Sequence, residues 1–195
     1  MSEQQTPDLT DLDQGTREWL EARMGKITAS LAAACLGLSP WCSPQKAYRQ
    51  ILGLEVTQSS YWMIHGREFE EVAVQLYEVA TGNICTRTGL WVHPDHPWLA
   101  ASPDRLVGDR GLLEVKCGKN LYPDLPKHVE VQAKIQLACT GRDWCTVWQY
   151  VGGRTQSWQV DRDGIAHLIE GLLLYKIKYL DNRLCPKRKE VKPWA

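Results

Sequence analysis

Along the chain, apolar residues first recur at helical spacing and then alternate, and the change falls near Gly82. Ahead of it, "TREWLEARMG" predicts a helix capped by Thr16 and stopped near Gly25, and "TASLAAACLG" a second, with Thr28 as cap and Gly37 as stop. "SPWCSPQKAYRQILG" follows the same grammar: Ser43 caps, Pro44 takes the first helical position, where a missing N–H costs nothing, and Gly53 ends the helix. The longest helix is expected over 61–81, with Phe69, Val72, Ala73, Leu76 and Ala80 on the apolar face and Glu71, Gln75 and Glu78 on the wet one. Glu70 fits neither group. Its i+3 and i+7 neighbours are Ala73 and Tyr77, so a carboxylate stands at the edge of the buried stripe, which is costly unless a cation meets it.

After Gly82 the runs read as strands divided by turn chemistry: "NICTRTGLWVH", "WLAASPDRLVG" and "GLLEVKC", the last two joined by a hairpin turn at "GDRG". A helix "HVEVQAKIQLACTG" follows, then strands "WCTVWQYVG" and "TQSWQVD", and a final helix opened by Asp161 or Asp163. Helices first, then a mostly hairpin-connected sheet interrupted by one helix, predict a single α/β or α+β domain. We place it at 16–183, between a flexible acidic stretch at 1–15 and a basic tail at 184–195.

Composition narrows the classes. A chain of 195 residues suits one substantial domain. Even the apolar run "IAHLIEGLLLY" is broken by His167 and Glu170, short of the ~20 residues of a membrane span. The polar, acidic opening "MSEQQTPDLTDLDQG" lacks the basic start and apolar core of a signal peptide, so a cytoplasmic setting and no membrane contact are expected. Seven scattered cysteines without zinc spacing read as free thiols in apolar segments. Net charge is zero, so nothing global points to nucleic acid, although 1–15 carries only acidic charge and "NRLCPKRKEVK" is basic.

The chemistry concentrates in "SPDRLVGDRGLLEVKC". Side chains alternate along a strand, so Glu114 and Lys116 share a face with Cα atoms about 6.6 Å apart, and the hairpin returns Asp104 to Glu114. Two carboxylates that close repel, and either one is protonated or a cation relieves them. Mg²⁺ suits such a sparse set of hard oxygen donors, with a backbone carbonyl and retained waters completing its shell. Either the three charges form a salt-bridged hairpin, or they form a divalent-metal site with a lysine beside it for the attacking water. Downstream, Gln132 and Gln136 lie four apart and share a helix face, where carboxamides hold water or phosphate without adding charge.

With these residues in place, the chain resembles the phage lambda exonuclease / YqaJ-type viral recombinase family of the PD-(D/E)xK nuclease superfamily. The likeness runs from about Arg23 to Tyr150 through "RMGKITAS" and "SPW", "HGREFEEVAVQLYEVATG", "SPDRLVGDRGLLEVK" and "VQAKIQLACTGRDW". The resemblance implies a restriction-endonuclease-like core, a central mixed β-sheet flanked by helices, with a helical N-terminal third. It implies a Mg²⁺-dependent 5′-to-3′ exonuclease on double-stranded DNA ends, with Mn²⁺ as a substitute and two ions per site.

Asp104, Glu114 and the Val115 backbone oxygen would bind metal, Lys116 would serve the nucleophilic water, and Glu70 would complete the acidic set. Gln136 would be the active-site glutamine. Where the family often has Gln-x-Gln this chain has Lys134 first, so Lys134 either contacts DNA, beside Gln132, or is free to vary. Arg23 and Ser30 are similar to residues that hold the 5′-phosphate, a role that a guanidinium and a helix N-terminus suit. Trp62 and Met63, ahead of Glu70, would form an apolar wedge between the strands. A homotrimeric ring and a single-strand annealing protein are the implied partners, in a bacterial or phage-infected cell. The iron–sulfur relatives of this superfamily are set aside, because the C-terminal region offers only Cys185.

Overall fold

A computed structural model describes residues 8–55 and 61–187, with the side chains of Trp62, Met63 and Arg67 excepted. Capping chemistry starts the early helices as expected. α1 (Arg17–Arg23) is opened by Thr16, whose side chain accepts from the Trp19 N–H. β1 (Ile27–Thr28), a two-residue strand that the helical pattern did not announce, runs into α2 (Ala29–Cys35). Thr28 stands at the cap of α2 without making a cap bond, because its hydroxyl is engaged with Arg23 and Ser30. Ser43 and Pro44 open α3 (Pro44–Ile51) as the pattern requires.

α4 (Tyr61–Thr81) has the expected span but not the expected face. Ala73, Val74 and Tyr77 are buried, whereas Val72, Leu76 and Val79 are exposed at 42%, 38% and 85%. The helix is apolar on two sides, and the sheet chooses between them: Tyr77 packs edge-on against Trp148 at 5.4 Å. That roll carries Glu70, one turn before Ala73 and Val74, towards the sheet.

Both long strand-like runs break in the middle, and their halves enter different sheets. The first gives β2 (Cys85–Thr86) and β3 (Trp91–Val92), and the second β4 (Leu99–Ala101) and β5 (Arg105–Val107). With β6 (Gly111–Cys117), β7 (Trp144–Val151) and β8 (Arg154–Val160), the larger sheet runs β2-β5-β6-β7-β8 and the smaller β1-β4-β3. β5 and β6 form the "GDRG" hairpin, β6 and β7 run parallel around α5 (Lys127–Thr140), and β7 and β8 are antiparallel. Alternation divides the larger sheet: Leu113, Val115 and Trp148 pack with α4, and Leu112, Cys145 and Val147 with α5. This is the mixed sheet flanked by helices that was expected, with a second small sheet added.

The breaks have local causes. Pro103, without an N–H, cannot continue a ladder between β4 and β5. At the other break a Cβ on Gly89 would lie 2.5 Å from the carbonyl oxygens of Leu9 and Leu12. Residues 8–15, expected to be flexible, are therefore docked. The Gly89 N–H donates to Thr10 O at 2.6 Å, the Leu90 N–H to Leu9 O at 2.7 Å, and Gln14 Nε2 to Thr88 O and Pro103 O at 3.0 and 2.8 Å.

α6 (Ile165–Tyr175) starts from Gly164, and neither aspartate caps it: the Asp163 N–H donates to Asp161 Oδ1 instead. Of the tryptophans in or beside the strands, Trp148 is buried, and Trp91, Trp98, Trp144 and Trp158 are half-buried. All seven cysteines are free, with Cys35, Cys139 and Cys145 buried. Among the described residues, no helix is long and apolar enough to cross a membrane.

Candidate active site

Strand register does what the hairpin predicted. Arg105 pairs with Leu113, so Asp104, one residue earlier, reaches Glu114, and Asp104 Oδ2 accepts the Val115 N–H at 2.6 Å. Glu114 is 2% exposed, and both its oxygens are engaged. Lys116 Nζ and Gln132 Nε2 donate to Oε1 at 2.5 and 2.7 Å, and Gln136 Nε2 donates to Oε2 at 2.5 Å. Lys116 Nζ also donates to Gln132 Oε1 at 3.1 Å. The fourfold spacing on α5 thus presents both carboxamides to β6.

The charges answer to this crowding. Burial, then the carboxylates of Glu114 and Glu70, push the Asp104 pKa well above the usual aspartate range. Burial works against the Lys116 ammonium, but Glu114 and Asp104 outweigh it and hold its pKa above the ordinary lysine value. Glu70 Oε1 does meet a cation: it accepts from Arg105 Nη1 at 2.9 Å. The buried Arg105 also donates to Asp104 O at 2.6 Å and, through Nη2, to Glu71 Oε2 at 2.8 Å, where Arg87 joins it. Among the described residues, no three His, Cys, Asp or Glu side chains converge as a metal-holding group. Asp104 and Glu114 are adjacent, while Glu70 is turned to Arg105.

The Arg23 cradle has the opposite character. Arg23 Nη2 donates to Thr28 Oγ1 at 3.4 Å and Ser30 Oγ at 3.3 Å, and its guanidinium lies 3.9 Å from the centre of the Trp19 ring. Burial pushes its pKa down to about 10. Among the described residues, no carboxylate forms an ion pair with it. A cleft of about 690 Å³ adjoins both regions, lined among others by Trp19, Glu70, Asp104, Arg105 and the docked segment through Asp11, Asp13 and Gln14.

The chain matches the model of the YqaJ-like viral recombinase domain over residues 18–143, a span that holds both the carboxylate pocket and the Arg23 cradle. The chain belongs to the YqaJ-like viral recombinase family. It is 31% identical to an alkaline exonuclease, LHK-Exo, from Laribacter hongkongensis, and matches that crystal structure with a TM-score of 0.71 over 86% of this chain and 97% of the other. LHK-Exo in complex with dAMP matches over the same shares with a TM-score of 0.70. A phage related exonuclease from Haemophilus somnus 129PT, 14% identical, shares the fold at a TM-score of 0.63 over 82% and 95% of the two chains. An uncharacterized protein of Acanthamoeba polyphaga mimivirus is 24% identical over 77% of this chain, which spans 31% of that relative's length.

Within this YqaJ-like chain, three sequence-predicted residues find different surroundings. Gln136, expected at the reacting atoms, is 0% exposed and supports Glu114 from behind, whereas Gln132 touches Lys116. Lys134, grouped with DNA contacts, lies between them in sequence but turns away, donating to Asp163 O at 2.6 Å and pairing with Glu130 at 3.0 Å. It ties α5 to the turn before α6. Ser30 joins Arg23 through a hydroxyl rather than through the helix N-terminus alone. The side chains of Trp62 and Met63 lie outside the described residues.

Sequence reasoning on this YqaJ-like domain missed Arg105 and His128. Arg105 follows Asp104 directly, and only the roll of α4 reveals its partners. His128 was within reach of pattern: it precedes Gln132 and Gln136 at the same spacing of four. Burial, then the charge of Lys116, lowers its pKa, leaving a neutral imidazole near the lysine at pH 7.

Proposed function

We propose that this chain is a metal-dependent exonuclease that degrades the 5′-phosphorylated strand of linear duplex DNA in the 5′-to-3′ direction, releasing mononucleotides and leaving a 3′ single strand for annealing-type recombination. One observation carries it. A half-buried arginine, set among hydroxyls and with no carboxylate paired to it among the described residues, stacks on Trp19, and Trp19 lines one cleft with Asp104, whose neighbours are Lys116 and the buried Glu114. A guanidinium in that state seeks an anion, and phosphate is the anion it grips best. The complex of LHK-Exo with dAMP, a nucleoside 5′-monophosphate, supports a phosphate-seeking site in this fold.

Asp104 and Glu114 fit a hard divalent ion: they supply oxygen donors side by side, and burial, then the neighbouring Glu114 charge, raises the Asp104 pKa, a cost that a cation would relieve. Mg²⁺, or Mn²⁺ in its place, would be held by these two carboxylates and the Val115 backbone oxygen, where it acidifies a bound water and offsets charge on the leaving oxygen. Lys116, beside Glu114, would orient the attacking water and offset charge in the transition state. Gln132 holds the ammonium, and Gln136 fixes the Glu114 rotamer. A second ion would require Glu70 to exchange Arg105 for metal. The exposed Val72, Leu76 and Val79 on α4 are the surface we assign to self-association in a trimer, with a single-strand annealing protein as the external partner.

The deciding assay follows nucleotide release in Mg²⁺ from linear duplex with 5′-phosphate ends, the same duplex with 5′-hydroxyl ends, and a covalently closed circle. Release from the first, slower release from the second and an intact circle are expected, all abolished by EDTA. Nicking of the circle would indicate an endonuclease instead. Binding of ends without release would indicate an inactive end-binding module.

A further inference from the structure

Trp19 links the Arg23 cradle to the stretch of chain that leads into Asp104. Its ring lies 3.9 Å from the Arg23 guanidinium, and its indole N–H donates to Ser102 Oγ at 3.0 Å. Ser102 opens the crossover from β4 to β5, two residues ahead of Asp104. Gln14 grips the same crossover through Pro103 O. Trp19, Gln14 and Asp104 all line the cleft.

We propose that Trp19 is a positioning residue that couples an anion in the Arg23–Thr28–Ser30 cradle to the placement of the Asp104 carboxylate. The proposal rests on the reading that this cradle takes the strand's 5′-phosphate. An indole has one donor. With that donor committed to Ser102, the plane of the ring is set by the crossover, and the face offered to Arg23 is set with it. Among the described residues the Arg23 guanidinium is otherwise held by two long hydroxyl contacts, so a phosphate that draws it forward loads the ring and, through Ser102, the chain leading to Asp104.

Among the described residues the Asp104 carboxylate accepts the Val115 N–H, while its backbone oxygen is held by Arg105, so a shift of the crossover bears directly on where the carboxylate sits. Coupling of this kind is reciprocal: metal on Asp104 and Glu114 tightens the cradle as phosphate tightens the metal site. A strand end without phosphate then meets a slacker carboxylate pair, and selectivity appears in turnover as well as in binding. A misplacement of about 1 Å at the reacting atoms costs on the order of 100-fold in rate, so a small shift suffices.

The test uses Ca²⁺, with the duplex checked to stay uncut, and reads metal affinity by calorimetry on the full chain bound to a short duplex carrying either a 5′-phosphate or a 5′-hydroxyl. In the wild type, the 5′-phosphate should tighten Ca²⁺ binding about fivefold or more, the lower end of common coupling. Trp19→Phe keeps a ring under Arg23 and loses only the donor; the tightening should fall below about twofold, with Ca²⁺ affinity on the 5′-hydroxyl duplex unchanged. Ser102→Ala should do the same, and the double variant no more than either single. In Mg²⁺ both should lower kcat on 5′-phosphorylated ends while leaving KM near the wild-type value.

Wild-type tightening retained by both variants, or single effects that multiply in the double, would overturn the coupling. So would a wild type that shows no tightening. Melting temperatures check the fold, and if Trp19→Phe melts early, Ser102→Ala carries the test. Arg23→Ala separates the two levels: if it leaves the preference for 5′-phosphate intact, the cradle reading fails. If it removes that preference while Trp19→Phe keeps the tightening, only the coupling fails.

Discussion

The carboxylate pocket and the Arg23 cradle are joined through a cleft lined by Asp104 and by Trp19, and they solve opposite problems. In the pocket, negative charge is in excess and every nearby donor is enlisted: Lys116, Gln132 and Gln136 on Glu114, the Val115 N–H on Asp104, and Arg105 on Glu70. In the cradle, positive charge is left without a carboxylate and is steadied only by hydroxyls and a ring face. On the function proposed above, the first would receive a cation and the second an anion. The difference teaches where substitutions will act: on chemistry and fold in the pocket, on recognition in the cradle.

The largest effect should come from Lys116→Ala. Loss of the ammonium should lower kcat by about 100- to 1,000-fold or more while binding to DNA ends persists, measured by single-turnover cleavage beside a gel-shift titration. Undiminished cleavage would take the chemistry out of this pocket. Next is Gln136→Leu, which removes a donor and leaves Glu114 Oε2 buried without its partner. A loss of stability of about 1–3 kcal/mol by chemical denaturation is expected, against a smaller loss for Gln132→Leu nearer the surface.

Arg23→Ala should cost on the order of tenfold in the preference for 5′-phosphorylated over 5′-hydroxyl ends, the equivalent of about 1.4 kcal/mol, with little change in melting temperature. Equal rates of the wild type on the two ends would erase the contrast. Smallest is Lys134→Ala. Its contacts are to Asp163 O and Glu130, so the salt dependence of DNA binding should stay as in the wild type, and stability should fall by no more than about 1 kcal/mol. A shallower salt slope would restore Lys134 to the DNA surface.

What was legible in the sequence follows the range of each interaction. Asp104, Glu114 and Lys116 share one hairpin, and strand alternation alone brings them together. Glu70 was legible as an anomaly of helical periodicity, because its neighbours Ala73 and Tyr77 are buried. The partner that resolves the anomaly was not, since Arg105 meets it only after α4 has chosen between two apolar sides. The crossovers at Thr88–Leu90 and Ser102–Asp104 were hidden for a similar reason. Each lies inside a run that alternates well enough to pass for one strand, and only a second sheet explains the break. The docking of 8–15 was masked by composition, because polar and acidic residues can be held through backbone and carboxamide bonds without an apolar anchor. Lys134 shows the limit of motif spacing: a residue between two pocket glutamines on a helix points elsewhere by geometry.

The docked segment has a consequence for the order in which the site is made. Residues 8–15 precede their partners at Thr88, Gly89, Leu90 and Pro103 by some 75 or more residues of chain, and Gln136 comes later still. Neither the cleft wall nor the support behind Glu114 can close on a short nascent chain. The site is complete only once the chain has been synthesised past Gln136, so a product truncated before that helix carries Asp104, Glu114 and Lys116 without the support behind Glu114.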